Sequence, residues 1–294
     1  MVACLIPIGR SYFISGQHKA QRDALKSMVE MSQETAASDR DNASMPGEVL
    51  AADSDNVRQQ TDETGQSGNS VGQQTDGNNA GGQTDGNSEP QEASESAMLR
   101  KYAALYQENE DFVGWLSIEG TGIDYPVLQC EDDEYYLHHD FYGEDSKYGC
   151  LYVREQADLD DGTNFIIYGH NMRDGAMFGD LDLYLKESFF QEHPTIHFDT
   201  LYEERVYEIV AVFRSQVYRA GDEVFKYYQF YEADTREEFE EFYRNIKALS
   251  IYDTGVEAEF GDTFLTCSTC AYHVEDGRFV VVAKRWQEQE PVIH

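Results

Sequence analysis

Short apolar runs separated by turn residues occupy the chain from about residue 112 onward. Two clear examples are 164–168 and 278–286, which are rich in Val, Ile, Phe or Tyr. Runs of this length, bounded by Gly, Asn or Asp, are typical of β-strands. The predicted strands are 114–118, 123–129, 149–153, 164–168, 195–198, 205–218, 263–269 and 278–286. Many short strands with turns between them predict a mainly β fold, a closed barrel of about eight strands.

Three stretches show helical periodicity instead. The apolar positions of 97–111 recur three and four residues apart and predict a helix that leads into the barrel, and a short helix is expected near 177–185. The clearest helix is 235–249, where Thr235 is a suitable N-cap and acidic residues fill the first turn. Its apolar stripe consists of Phe239, Phe242, Ile246 and Leu249. We expect this stripe to serve packing rather than binding.

Residues 35–97 differ in composition from the rest of the chain. They contain no Phe, Trp or Tyr, and the pattern Gln-Thr-Asp-Gly-Asn occurs at 74–78 and again at 83–87. Such a stretch cannot bury enough apolar surface to offset the entropy of ordering it. The sequence therefore predicts a disordered spacer at 35–97, with the folded domain at 98–294.

The N-terminal segment, 1–34, begins with an apolar run. Residues 1–8 are apolar, but they are far fewer than the ~20 residues that a membrane-spanning helix needs, and Arg10 follows. We interpret 1–34 as the remnant of a membrane anchor with its juxtamembrane segment. The alternative is an ordinary disordered terminus.

The net charge of −34 limits the possible partners. Most of the negative charge falls after residue 97, and so strong an excess of carboxylates repels a phosphate backbone. We therefore expect no nucleic-acid partner. High acidity is typical of a surface that keeps a protein in solution, and it would also favour cationic peptide or amine substrates.

The cysteines do not form a disulfide framework, because they are odd in number and sparse. They are Cys4, Cys130, Cys150, Cys267 and Cys270. The last two form a C-x-x-C motif, which is typical of redox or zinc sites. A redox pair normally opens a helix, whereas this pair ends a predicted strand, and no second ligand pair follows for zinc.

A thiol, an imidazole and a guanidinium lie at the ends of predicted strands. Cys270 closes one strand, Arg278 opens the return strand, and His170 follows the strand 164–168 in a turn. Acyl transfer by a thiol needs a nucleophile, a proton carrier and a group that stabilises the oxyanion. His273 is a competing candidate for the proton carrier. The alternative for Arg278 is a surface ion pair with an acidic neighbour, Glu275 or Asp276.

The remaining histidines do not predict a metal site. His193 and His197 have the spacing H-x-x-x-H, but in a strand they lie about 13 Å apart, too far to share an ion. His138 and His139 are adjacent and point apart. We predict neither a metal nor a cofactor.

The sortase family, class B in particular, has signature segments that this chain resembles. They are 168–172 (Tyr-Gly-His-Asn-Met), 265–270 (Leu-Thr-Cys-Ser-Thr-Cys) and 276–281 (Asp-Gly-Arg-Phe-Val-Val). The likeness extends over 111–285, and the helix 235–249 is similar to the class B insertion before the catalytic strand. The resemblance implies a distorted eight-stranded β-barrel and a cysteine transpeptidase that attaches surface proteins to the cell wall.

The resemblance also implies roles for the three strand-end residues. Cys270 would attack the threonyl carbonyl of a C-terminal sorting signal to form a thioester, and an amine of a peptidoglycan precursor would resolve it. His170 would protonate the leaving amine and then deprotonate the incoming one. Arg278 would bind the carbonyl oxygen and the oxyanion. The residues that match the family's substrate groove are Asp133, Leu137, Tyr168, Ser268 and Thr269.

Three positions depart from the family's pattern. Asp133 stands where class B enzymes often have Asn, Cys267 stands where a Leu is usual, and Ala271 replaces an acidic residue after the nucleophile. We expect a monomeric, single-pass membrane protein whose catalytic domain lies outside the cell. The alternatives are a cysteine peptidase in which water resolves the thioester, and a non-catalytic thiol-redox protein in which Cys267 and Cys270 form a disulfide.

Overall fold

The structure, a computed structural model, describes residues 5–43, 97–271 and 274–287. Its strands are β1 Phe112–Ser117, β2 Asp124–Gln129, β3 Leu151–Val153, β4 Asn164–Gly169, β5 Thr195–Thr200, β6 Glu204–Gln216, β7 Phe264–Cys270 and β8 Gly277–Arg285. They close into one barrel in the order β1-β2-β3-β4-β7-β8-β6-β5. The predicted fold class, a closed barrel of about eight strands, is confirmed.

The pairing of the strands brings three chain segments to one edge of the barrel. β4 and β7 are parallel neighbours, so their C-terminal ends lie side by side. β8 is the antiparallel neighbour of β7, and its first residues therefore lie beside the last residues of β7. This edge holds the candidate site.

Two of the helices that the structure describes are long, and the other α-helices have at most six residues. The α-helices are α1 Leu5–Ala43, α2 Ala103–Glu108, α3 Tyr135–His138, α4 Glu187–Glu192 and α5 Arg236–Leu249. Short 3-10 helices lie at Arg100–Tyr102, Gly179–Leu185 and Tyr227–Gln229. The predicted entry helix at 97–111 is thus divided into a 3-10 turn and α2.

The strands β7 and β8 are buried on both faces, which explains their nearly continuous apolar sequences. Leu265, Cys267 and Val281 point into the barrel interior, together with the core residues of the other strands. Phe264 and Val280 point outward, where α5 covers them. Alternate residues of a strand face opposite sides, so the two cores share the same strands.

Helix α5 is fixed at its start and along one face. Thr235 and Glu238 form a capping box, in which each side chain bonds the other residue's backbone N–H. Phe239, Phe242 and Ile246 are buried against the outer face of the barrel. Leu249, the fourth residue of the predicted stripe, is exposed.

The N-terminal helix α1 packs against the barrel. Leu25 is 3% exposed and belongs to a cluster that includes Phe112 and Trp115 of β1. Lys26 forms an ion pair with Asp124 at the start of β2. Helix α1 thus has an apolar face and polar contacts on the barrel.

The predicted single-pass membrane localisation was wrong. In the described part of the chain no helix is long and apolar enough to cross a membrane. Helix α1 has the length, but Lys19, Arg22, Lys26 and Glu30 recur along it and interrupt any apolar stretch of ~20 residues. The division of the chain into 1–34, 35–97 and 98–294 stays a prediction, and most of the spacer lies outside the described residues.

Candidate active site

The parallel pairing of β4 with β7 brings His170 and Cys270 together. Gly169 pairs with Thr269. The next residue after Gly169 is His170, and the next residue after Thr269 is Cys270. Neighbouring strands lie about 4.8 Å apart, so the two side chains start from adjacent backbone positions. The register thus places the proposed proton carrier beside the proposed nucleophile.

Arg278 occupies the position directly opposite Cys270. The two residues are partners in the antiparallel ladder of β7 and β8, so their side chains leave the sheet on the same face. Nη1 of Arg278 donates to the carbonyl oxygen of Gly277 at 3.0 Å and to that of Asp276 at 3.3 Å. Within the described residues the guanidinium forms no ion pair, which disfavours the alternative of a salt bridge to an acidic neighbour.

The ring of His170 is oriented by a backbone carbonyl. Its Nε2 lies 2.8 Å from the carbonyl oxygen of Leu137 in α3. Because a carbonyl oxygen can only accept, Nε2 carries the proton in this contact, and Nδ1 of the neutral ring holds the free lone pair. Leu137 was predicted as an apolar residue of the groove, and its backbone has this second role that the sequence does not reveal.

Asn171 is a residue that the sequence analysis missed. Its Nδ2 donates to the carbonyl oxygen of Cys270 at 3.0 Å and to Asp182 at 3.3 Å. The side chain therefore ties the turn that presents His170 to the end of the strand that presents the thiol. Its position next to His170 in the motif was the available signal.

Two of the predicted groove residues are engaged within the protein. The hydroxyl of Thr269 donates to the carbonyl oxygen of Gly169 at 2.7 Å, and Ser268 Oγ lies 2.7 Å from the hydroxyl of Tyr227. Both residues are at most 2% exposed. The Thr269 hydroxyl thus links the end of β7 to β4, and the Ser268 hydroxyl links β7 to the 3-10 helix at Tyr227–Gln229, so neither stands free in a groove.

A polar cluster lies further along the same outer face. The guanidinium carbon of Arg154 lies 5.1 Å from the centre of the Tyr168 ring, and Nε of Arg154 lies 3.6 Å from a carboxylate oxygen of Asp133. Asp133 also accepts the backbone N–H of Glu155 at 3.0 Å. The predicted groove residues Asp133 and Tyr168 are thus brought together, through an arginine that the sequence analysis did not select.

Several polar atoms of this cluster are buried and have no hydrogen-bond partner among the residues that the structure describes. They are Nε of Arg154 and the hydroxyls of Tyr168 and Tyr231. Burial raises the pKa of Tyr168, and the neighbouring Tyr231 raises it further, so the phenol stays protonated and keeps its donor. Buried polar atoms that lack a full hydrogen bond are costly inside a protein, and a ligand with polar groups would relieve that cost.

The first cysteine of the C-x-x-C motif, Cys267, lies on the opposite face of the sheet from Cys270. Cys267 is fully buried in the barrel interior, and burial raises the pKa of its thiol. Residues three apart in a strand point to opposite faces, so Cys267 and Cys270 diverge. The four cysteines of the described residues are free. This geometry disfavours the alternative of a reversible disulfide.

Neither of the two histidine pairs is part of a metal site in the structure. His193 contacts Phe189 through its ring, and His139 stacks on Tyr135. Among residues 5–43, 97–271 and 274–287, no group of metal-ligating side chains is suitably placed for an ion. His273, the competing proton carrier, lies outside the described residues.

The chain is similar in sequence and structure to known transpeptidases. The sortase domain model matches residues 116–286. Sortase B of Listeria monocytogenes is 37% identical over 61% of this chain and 72% of that protein, and Staphylococcus aureus sortase B is 32% identical over 63% and 74%. A solved Staphylococcus aureus sortase B–substrate complex is 29% identical, with a TM-score of 0.58, over 65% of this chain and 87% of that one.

The chain therefore belongs to the sortase family, and it is a cysteine transpeptidase. The relatives and the solved structures named above are sortases of class B, which confirms the predicted resemblance.

Proposed function

We propose that this sortase cleaves a C-terminal sorting signal after threonine and transfers the acyl group to an amine of the cell wall. The observation that carries the proposal is the strand register, in which His170, Cys270 and Arg278 occupy the adjoining ends of β4, β7 and β8. These groups are a proton carrier, a nucleophile and a permanent cation, as acyl transfer through a thioester requires.

The first half-reaction forms the thioester. The Cys270 thiol gives its proton to His170, and the sulfur bonds to the threonyl carbonyl carbon while an electron pair moves onto the carbonyl oxygen. When the tetrahedral intermediate collapses, the C–N bond breaks. The leaving amine takes the proton from His170, and the C-terminal fragment departs.

The second half-reaction consumes the thioester. An incoming amine bonds to the same carbonyl carbon, and His170 accepts the proton that the amine loses. The C–S bond then breaks and the sulfur recovers its proton. The net result is the exchange of one amide bond for another, with no cofactor and no change of oxidation state.

Arg278 supports both half-reactions through its charge. Nη1 is engaged by two backbone carbonyls of its own turn, which hold the side chain near the strand end. In the described part of the chain, Nε and Nη2 have no hydrogen-bond acceptor, so they remain able to donate to an oxyanion. A guanidinium keeps its charge at every physiological pH, and the stabilisation does not depend on protonation.

We further propose that the peptide lies along the outer face of β4 and β7. The cluster of Asp133, Arg154 and Tyr168 would contact it before the scissile bond, and Leu137 would form the nearer wall. Ser268 and Thr269, whose hydroxyls are bonded within the protein, would support the groove from beneath. The Staphylococcus aureus sortase B structure in complex with substrate supports a peptide substrate for this fold.

A peptide library that contains threonine at a fixed position, with and without an added amine, tests the proposal. We expect Thr-directed cleavage, and we expect an amide product that contains the added amine. Cleavage that yields only the free acid at saturating amine would support the peptidase alternative. Absence of any Cys270-dependent cleavage across the library would contradict the proposal.

A further inference from the structure

The turn that presents His170 is a closed loop with several attachments. It runs from His170 to Phe178, whose N–H donates to the His170 carbonyl oxygen at 2.9 Å, and Asn171 pairs with Met177 across it. One side of this loop is attached to the thiol strand through Asn171. Its tip, at Asp174, points away from that strand toward α1.

Asp174 joins the loop to the N-terminal helix. A single carboxylate oxygen of Asp174 accepts from the hydroxyl of Ser15 in α1 at 2.9 Å and from the hydroxyl of Tyr148 at 2.7 Å. Burial alone would raise the pKa of Asp174. The two hydroxyl donors, with backbone N–H groups of the loop, outweigh burial and hold that pKa below its ordinary value.

Aromatic contacts reinforce this attachment. The His18 ring of α1 stacks on Tyr148, with ring centres 4.2 Å apart and planes 15° apart, and its centre lies 5.8 Å from that of Tyr125. The hydroxyl of Tyr125 accepts the buried N–H of Met177, at 3.2 Å. Met177 has a φ of 53°, a left-handed conformation that costs a non-glycine residue energy unless its surroundings hold it.

We propose that α1 is a positioning element for His170, acting through the clasp formed by Ser15, Asp174 and Tyr148. The clasp fixes the loop on the side opposite Asn171, so the imidazole has a defined position beside the thiol. The proposal rests on the proposed function, because it assigns His170 the role of proton carrier. Under this proposal, α1 holds the loop that presents His170, in addition to packing against the barrel.

Substitutions in the full-length protein test the clasp. Asp174→Ala removes the shared acceptor, and we expect kcat to fall about 5–10-fold, with KM within about twofold, because loop order and not peptide contact is lost. Tyr148→Phe and Ser15→Ala each remove one donor and should lower kcat about 2–4-fold. Asp174→Asn keeps an oxygen acceptor and should restore most of the rate.

Lys26→Gln is the matched control. Lys26 lies on the same helix and contacts Asp124 of β2, but it does not touch the loop. We expect its kcat to stay within about twofold of wild type. An equal loss in Lys26→Gln and Asp174→Ala would show that general loosening of α1, and not the clasp, is responsible.

Two further measurements separate positioning from stability. Amide hydrogen exchange across 170–178 should accelerate in Ser15→Ala, which removes the contact from α1, while exchange in β8 stays unchanged, and the pH–rate limb that depends on His170 should shift. Unchanged exchange together with unchanged kcat in Asp174→Ala would overturn the proposal. If the wild type itself shows no Cys270-dependent turnover, the proposed function fails, and hydrogen exchange still decides whether the helix orders the loop.

Discussion

The active-site edge and the α1 interface are held together by different kinds of interaction. At the edge, continuous backbone ladders place His170, Cys270 and Arg278, so their positions do not depend on their own side chains. At the interface, individual side chains such as Ser15 and Lys26 make the contacts. Substitutions at the edge should therefore remove chemistry without loosening the fold, whereas substitutions at α1 should change order or stability without removing a reacting group.

The largest effect is expected at the nucleophile. Cys270→Ala should abolish turnover and leave the melting temperature nearly unchanged, because Cys270 is half-buried at a strand end. Cys267→Ala should keep most of the activity and lose stability, since it leaves a small cavity in the barrel core. Activity assays and thermal melts of both variants check this. Equal loss of activity in both would support the thiol-redox alternative.

Arg278→Lys should have the next largest effect. We expect a loss of about 2–4 kcal/mol of transition-state stabilisation, measured as kcat/KM, because a lysine cannot reproduce the geometry of the guanidinium. Stability should change little, since the described contacts of Arg278 are with its own turn. A rate close to wild type would show that Arg278 is only a surface charge. It would contradict the claim that substitutions at the active-site edge remove chemistry.

Arg154→Met should weaken peptide binding more than catalysis. The variant keeps an apolar stem over Tyr168 and loses the charge and the donors, so we expect KM to rise about 5–20-fold, which corresponds to about 1–2 kcal/mol, with kcat within about twofold. Arg236→Met is the control, because Arg236 also lies over an aromatic ring, that of Phe260, on the exposed side of α5. An unchanged KM in Arg154→Met would show that the cluster of Asp133, Arg154 and Tyr168 does not bind the peptide.

The smallest effect concerns the pH dependence of the α1 interface. Burial is the largest of the causes that together lower the pKa of His18 to about 4; Arg22 and Lys147 act in the same direction, and Asp174 and Asp140 oppose them. The unfolded chain therefore binds a proton that the folded chain does not, and stability is lost as the pH falls from about 6.5 to about 4.

Since His18 is only partly buried and water screens its charge, we expect this loss to amount to about 1–2 kcal/mol. His18→Phe keeps an aromatic ring on Tyr148 and cannot take up the proton. The drop in melting temperature between pH 7 and pH 4.5 should be smaller in the variant than in wild type. Identical drops would show that His18 does not titrate within the interface.

The parts of the molecule that the sequence predicted are those encoded locally. Each strand shows as an apolar run, and Cys270 and Arg278 face each other because a short loop joins two long strands. His170 was recognisable from the turn that follows β4. Such features depend on residues near each other in the chain, and so they can be recognised without the fold.

The features that the sequence did not predict depend on distant contacts. Arg154 meets Tyr168 only when β3 pairs with β4, and Tyr231 joins them from the segment before α5. Ser15 bonds a residue 159 positions away, and no local pattern marks either partner. Ser268 and Thr269 match groove positions of the family, and no local pattern indicates that their hydroxyls bond Tyr227 and Gly169.

The most direct test of the account is the intact mass of the enzyme during turnover of a peptide that it cleaves. We predict an acyl adduct on Cys270 in the wild type that disappears when an amine is added, and no adduct in Cys270→Ala. In His170→Ala, formation and resolution of the adduct should both slow by at least about 100-fold, while His273→Ala should behave as wild type. Cleavage without an adduct on Cys270, or an inactive His273→Ala beside a normal His170→Ala, would contradict the account.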